Sequence, residues 1–113
     1  MKWEQIIGQQ SIKNLLKDSI KDSRVGHAQL FVGEEGFGVL PLALAMAQEI
    51  FEKENPASVH KVENLNHLDL HFSFPVFTEN KNSLSKRLFD QWREFILENP
   101  YSSFDDWTSF LES

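Results

Sequence analysis

The sequence predicts an α/β protein, a short parallel sheet flanked by helices, and three observations carry that prediction. A short apolar run over residues 28–32 gives way to a glycine-punctuated turn. The turn then opens a helical pattern with Val39, Leu42, Ala43, Met46, Ala47 and Ile50 on one face. Further on, Leu68, Leu70, Phe72, Phe74 and Val76 alternate with Asp69, His71, Ser73 and Pro75, which is the period of a strand. Amphipathic helical patterns stand before the first run and after the second.

In the first of these patterns, residues 11–21 place Ile12, Leu15, Leu16 and Ile20 on one face and Lys13, Lys17, Asp18 and Lys21 elsewhere. Ser11 is the expected N-cap, with Gly8, Gln9 and Gln10 forming the turn that leads in. Residues 22–26 read as a polar turn, and His27 opens the first expected strand. No Ser, Cys or acidic partner stands beside His27 in a recognisable motif, so it carries no catalytic reading. Asn55 and Pro56 are expected to stop the second helix.

His60, His67 and His71 invite a metal reading. On a strand, however, His67 and His71 share a face with Cα atoms roughly 13 Å apart, too far to hold one metal directly, so they read as structural. Pro75 ends that strand and residues 78–83 form a polar loop. Asn82 or Ser83 then caps a helix whose stripe is Leu84, Leu88, Trp92, Phe95 and Ile96, closed by Asn99 and Pro100. A last helix begins at Ser103, with Asp106 placed for a capping box, and carries Phe104, Trp107, Phe110 and Leu111. Ten Phe and three Trp are many for 113 residues; the aromatic stripe fits either a core or a contact surface.

The chemistry of the chain is concentrated in its glycine loop. Gly33 and Gly38 have the spacing of the outer glycines of G-x-x-x-x-G-K-[ST], with Gly36 between them; such a loop wraps phosphates with backbone N–H groups, Lys and Ser/Thr. Val39 stands where the Lys belongs, so no cation meets the β- and γ-phosphates. Leu40 stands where the hydroxyl that ligates Mg²⁺ belongs, and Pro41 has no N–H to offer. Each charge-assisted bond contributes about 1.5–3 kcal/mol, and Glu34 and Glu35 add negative charge beside the cradle. Triphosphate binding by Gly33, Gly36, Gly38, Val39, Leu40 and Pro41 is therefore expected to be negligible. The same residues also fit an ordinary Gly-rich turn between a strand and a helix, in which proline is at home in the first turn.

Around the loop, WEQIIGQQSIKNLLKDSI, HAQLFVG and HLDLHFSFP occur in this order, and together they resemble the amino-terminal part of bacterial DNA polymerase III delta-prime subunits, AAA+ clamp-loader proteins. The resemblance covers most of residues 1–76. It implies a partial P-loop/AAA+ (RecA-like) domain over residues 1–113 and a non-hydrolysing structural subunit of the clamp-loader complex, which belongs to an assembly with DNA polymerase activity. The complex loads the sliding clamp onto primed DNA. The implied partners are other clamp-loader subunits, with DNA contacted only indirectly and no cofactor. It also implies that Trp3, Ile6, Ile7 and Gly8 line a former adenine pocket, although the residues themselves fit a small core. Two other readings fit the loop: a P-loop NTPase retaining weak nucleotide binding through backbone amides, and an unrelated α/β interaction module.

The chain departs from the family in having no cysteine. The four-cysteine zinc module that the family commonly inserts after the loop helix has no counterpart in residues 52–67, which excludes structural zinc of that type. Walker B acids, arginine finger, lid and collar find no match either, so the chain reads as an amino-terminal fragment. Two unaided strands lead to the expectation of marginal stability, or of self-association through a sheet edge or the aromatic carboxyl-terminal helix. A hydrophobic fraction of 41% and a charged fraction of 25% are those of a globular protein. A net charge of −6 disfavours independent grip on nucleic acid. No apolar run reaches the roughly 18 residues of a membrane span, and MKWEQII lacks a secretory signal's apolar core, so cytoplasm is the expected compartment.

Overall fold

The computed structural model describes residues 1–74 and 84–112. A 3-10 turn, Trp3–Gln5, leads to helices α1 (Gln10–Lys21), α2 (Val39–Glu54), α3 (Val59–Glu63), α4 (Leu84–Glu98) and α5 (Phe104–Glu112), with a second 3-10 turn at Pro56–Ser58. Among the described residues there is no β-strand, and the predicted parallel sheet is not formed. Pro75 and Val76, which end the second expected strand, and the 78–83 loop with its capping residues lie outside the described residues.

The correction has a physical reason. Alternating polarity reports which side of an extended chain is covered, not whether its backbone has a partner. Leu30 and Val32 are 87% and 84% exposed while Phe31 between them turns inward. No hydrogen bond ties residues 28–32 to any other described residue. In the second stretch Leu70, Phe72 and Phe74 pack inward and His71 and Ser73 face out, again with period 2. Neither segment pairs as a strand, residues 67–70 forming a turn closed by the Leu70 N–H on the His67 carbonyl at 3.1 Å, and among the described residues there is no sheet edge through which copies could associate.

The helix α2 is apolar on every side through most of its length, and such a helix must be covered all round. Leu42, Ala45 and Met46 join Trp3, Ile6 and Ile20 in one buried cluster, with Leu16, Phe31 and Ile50 at its margin. Leu44 joins Leu65, Trp92, Ile96 and Trp107 in another. Ala43 and Ala47, expected on the buried face, are only partly covered, because the two clusters lie to either side of them. Asn55 ends α2 as expected: its N–H reaches the Phe51 carbonyl at 2.8 Å and its side chain accepts the Ala57 N–H at 3.1 Å.

The amino-terminal half is held by lysines that donate inward. Lys13, buried in α1, donates to the Ile6 carbonyl at 2.6 Å, and Lys53 of α2 donates to the Ile20 carbonyl at the end of α1 at 2.7 Å. Trp3 donates its indole N–H to Glu49 Oε2 at 3.2 Å. The N-cap of α1 is Gln9 in a left-handed conformation, φ 59°, instead of Ser11, and it has no side-chain cap bond. Ile12 and Leu15 are exposed, so only Leu16 and Ile20 of the expected stripe reach the core.

In the carboxyl-terminal half the aromatic stripe is core except at Phe104, which is 52% exposed. The Phe74 ring stacks on Trp92 at 5.1 Å between centroids and meets Trp107 edge-on at 5.7 Å, while Phe95 and Phe110 extend the cluster at 5.3 Å from one another. The capping box forms as predicted. The Ser103 N–H reaches Asp106 Oδ2 at 2.9 Å, and the Asp106 N–H reaches Ser103 Oγ at 3.2 Å. The histidines are placed separately: His67 packs its ring on Phe51 at 4.3 Å and accepts the Asp69 N–H at Nδ1, whereas His60 and His71 face solvent.

Urea unfolding of two variants separates a helical core from a buried strand. Trp92→Ala is expected to cost about 3–5 kcal/mol and Leu30→Ser to stay within about 0.5 kcal/mol. A loss of several kcal/mol in the second variant would reinstate a covered strand at residues 28–32.

Candidate functional site

The loop that precedes α2 bends back at residues 34–37, where the Phe37 N–H meets the Glu34 carbonyl at 3.3 Å. Gly36 and Gly38 take φ of 84° and 99°, a left-handed region that costs an L side chain roughly 1–2 kcal/mol. Gly38 is the N-cap of α2, and its carbonyl accepts the first helical bond from the Leu42 N–H at 3.0 Å. At Gly33 the constraint is space: an added Cβ would lie 2.7 Å from Val39 Cγ2.

This loop, the first turn of α2 and the Pro100–Tyr101–Ser102 connector enclose a cleft of about 300 Å³. Gly33, Gly36, Gly38, Val39, Leu40 and Pro41 all line it, so the structure brings together every candidate residue the sequence singled out. The chemistry they offer is narrow. At the start of α2 the N–H groups of Val39 and Leu40 have no helical acceptor, and Pro41 supplies none. Among the described residues no Lys or Arg lines the cleft, and Glu34 and Glu35 are part of its lining. Leu40 packs at the margin of the carboxyl-terminal cluster and Pro41 is fully buried. Among the described residues no group of three His, Cys, Asp or Glu side chains is placed to hold a metal ion.

The connector was not legible from sequence. Tyr101 comes from between α4 and α5, its ring edge 3.4 Å from where a Gly38 Cβ would stand. It follows Asn99 and Pro100 in a plain helix-stop pattern, and no local signal pairs it with the loop.

The family described as DNA polymerase III, delta subunit, matches residues 8–105. The chain belongs to this family. Within it, the DNA polymerase III subunit delta' of Bacillus subtilis (strain 168) is 32% identical over an alignment of 98 residues, covering 80% of this chain and 30% of that protein. The chain therefore spans less than a third of the length of the curated relative it matches. No solved structure matches it. The resemblance carried by the opening helix, HAQLFVG and HLDLHFSFP is thus borne out. The delta-subunit match reaches beyond those stretches to take in Tyr101 and the start of α5. No helix among the described residues is long and apolar enough to cross a membrane.

Alanine at the glycines tests the loop. Gly38→Ala and Gly36→Ala are each expected to lower stability by about 1–2 kcal/mol, because both hold φ in the left-handed region. Gly26→Ala, at ordinary φ and with its nearest neighbour at 3.7 Å, is expected to be close to neutral. Thermal melts of the three variants check the order.

Proposed function

We propose that this chain is the amino-terminal part of an AAA+ nucleotide-binding-like domain and acts as a non-hydrolysing structural subunit of the DNA polymerase III clamp-loader complex. In that role it packs against the other clamp-loader subunits and helps load the sliding clamp onto primed DNA in the cytoplasm, touching DNA only through its partners. Membership of the delta-subunit family supports the setting. The observation that supports the non-hydrolysing role is the make-up of the cleft. Its glycines have the spacing of a phosphate loop and turn the chain into α2, while Val39, Leu40 and Pro41 stand where such a loop keeps its cation, its Mg²⁺ ligand and one amide.

Losing the first two of these groups, at about tenfold to a hundredfold each, leaves two amides facing a ligand of the same charge sign as Glu34 and Glu35. Residues Gly33, Gly36 and Gly38 then keep only a backbone role. Isothermal titration of the chain with ATP and Mg²⁺ is expected to show no binding tighter than about millimolar. Micromolar binding would overturn the reading in favour of an NTPase that works through backbone amides. Co-purification with the remaining clamp-loader subunits tests the assembly itself, and its absence from the full-length protein would favour an unrelated interaction module.

A further inference from the structure

The connector after α4 is a turn built by Asn99, whose Oδ1 accepts the Tyr101 N–H at 3.0 Å and whose carbonyl accepts the Ser102 N–H at 3.2 Å. From this turn the Tyr101 side chain crosses to the other end of the sequence. Its Oη accepts the Ile7 N–H at 2.9 Å while its ring lies against Gly38. Ile7 is 81% exposed, and Gly8 and Gln9 after it hold φ of 67° and 59°. Side-chain burial does not hold this turn in place. Apart from its continuation into α1 and the preceding Ile6 carbonyl, on which Lys13 closes at 2.6 Å, it is held by the Tyr101 hydroxyl and by Gln9 Nε2, which donates to the Phe37 carbonyl at 3.4 Å. Both bonds point to the glycine loop or its cover.

We propose that Tyr101 is a clasp. Its hydroxyl pins the amino-terminal turn, and its ring walls the cleft over the glycine loop, so that one side chain joins the connector between α4 and α5 to both. Gly38 is the loop position against which the ring rests: a Cβ there would touch the ring edge at 3.4 Å, so a side chain longer than Ala would press on it. The ring and the hydroxyl have separable tasks: the first covers, the second holds.

Tyr101→Phe and Tyr101→Ala distinguish those tasks. The chain has no cysteine, so Ala43→Cys, on the cleft wall, places a single reporter thiol there. In Y101F the Ile7 amide is expected to exchange about tenfold faster, while the Lys13 amide, bonded to the Gln9 carbonyl at 2.9 Å, keeps its rate and the thiol reacts with maleimide as before. In Y101A the thiol is expected to react about tenfold faster. Unchanged Ile7 exchange in Y101F, or equal thiol reactivity in Y101A and the unaltered chain, overturns the clasp. Should Y101A lose its helical circular dichroism, the exchange measurement on Y101F decides alone. Neither readout involves a nucleotide, so the clasp and the non-hydrolysing role stand or fall separately.

Discussion

A single helix that cannot be left exposed on any side governs this molecule. Burying a Leu or Met side chain is worth about 1.5–3 kcal/mol, and α2 carries such residues around its whole circumference. It is therefore covered by α1 and the first 3-10 turn through Leu42, Ala45 and Met46, and by the aromatic pair α4 and α5 through Leu44. The two clusters depend on α2 more than on each other. What would be a one-sided loop helix on the surface of a sheet is here the shared wall of two cores.

That arrangement fixes the start of α2 and with it the glycine loop. It also explains which residues can stand there. Leu40 faces the carboxyl-terminal cluster and Pro41 is fully buried, so the positions where a phosphate loop keeps its hydroxyl and the amide after it contribute apolar cover. A hydroxyl at position 40 would bring a polar group to the edge of an apolar cluster, where an unpaired one costs about 1–3 kcal/mol. Packing and phosphate chemistry compete for these positions, and in this sequence packing has them.

Helices were the most legible part of the sequence because their signals are local. The stop at Asn55 and Pro56, the box between Ser103 and Asp106, and the stripe through Trp92 and Ile96 all appear where periodicity and capping place them. The sheet was misread because a short apolar run at 28–32 and an alternation at 70–74 record only which side of the chain is covered, which a segment without a strand partner also satisfies, while Leu68 is 86% exposed. The short helix α3 gave no periodic signal in five residues. The glycine loop was readable because φ above zero leaves a residue-type signature at Gly36 and Gly38. Tyr101 was not, since its meeting with Ile7 and Gly38 is a product of how two distant segments pack. Spacing along the chain says nothing of that.

The same packing bears on how the chain meets DNA. A net charge of −6 already opposes binding to phosphate, and much of the positive charge is engaged internally. Lys13 and Lys53 donate to backbone carbonyls, Lys17 lies 5.7 Å over the Trp3 ring, Lys2 pairs with Glu63 at 3.5 Å and Arg24 with Asp22 at 2.7 Å. Turning Lys13 and Lys53 outward toward a nucleic acid would break contacts that hold the first turn, α1 and α2 together, whereas Lys2 and Arg24 sit in exposed pairs. Lys13 and Lys53 are thus structural, tying the first turn, α1 and α2 together. At the start of α2 the same preference shows: Val39, Leu40 and Pro41 are apolar, and Leu40 and Pro41 are taken up by packing.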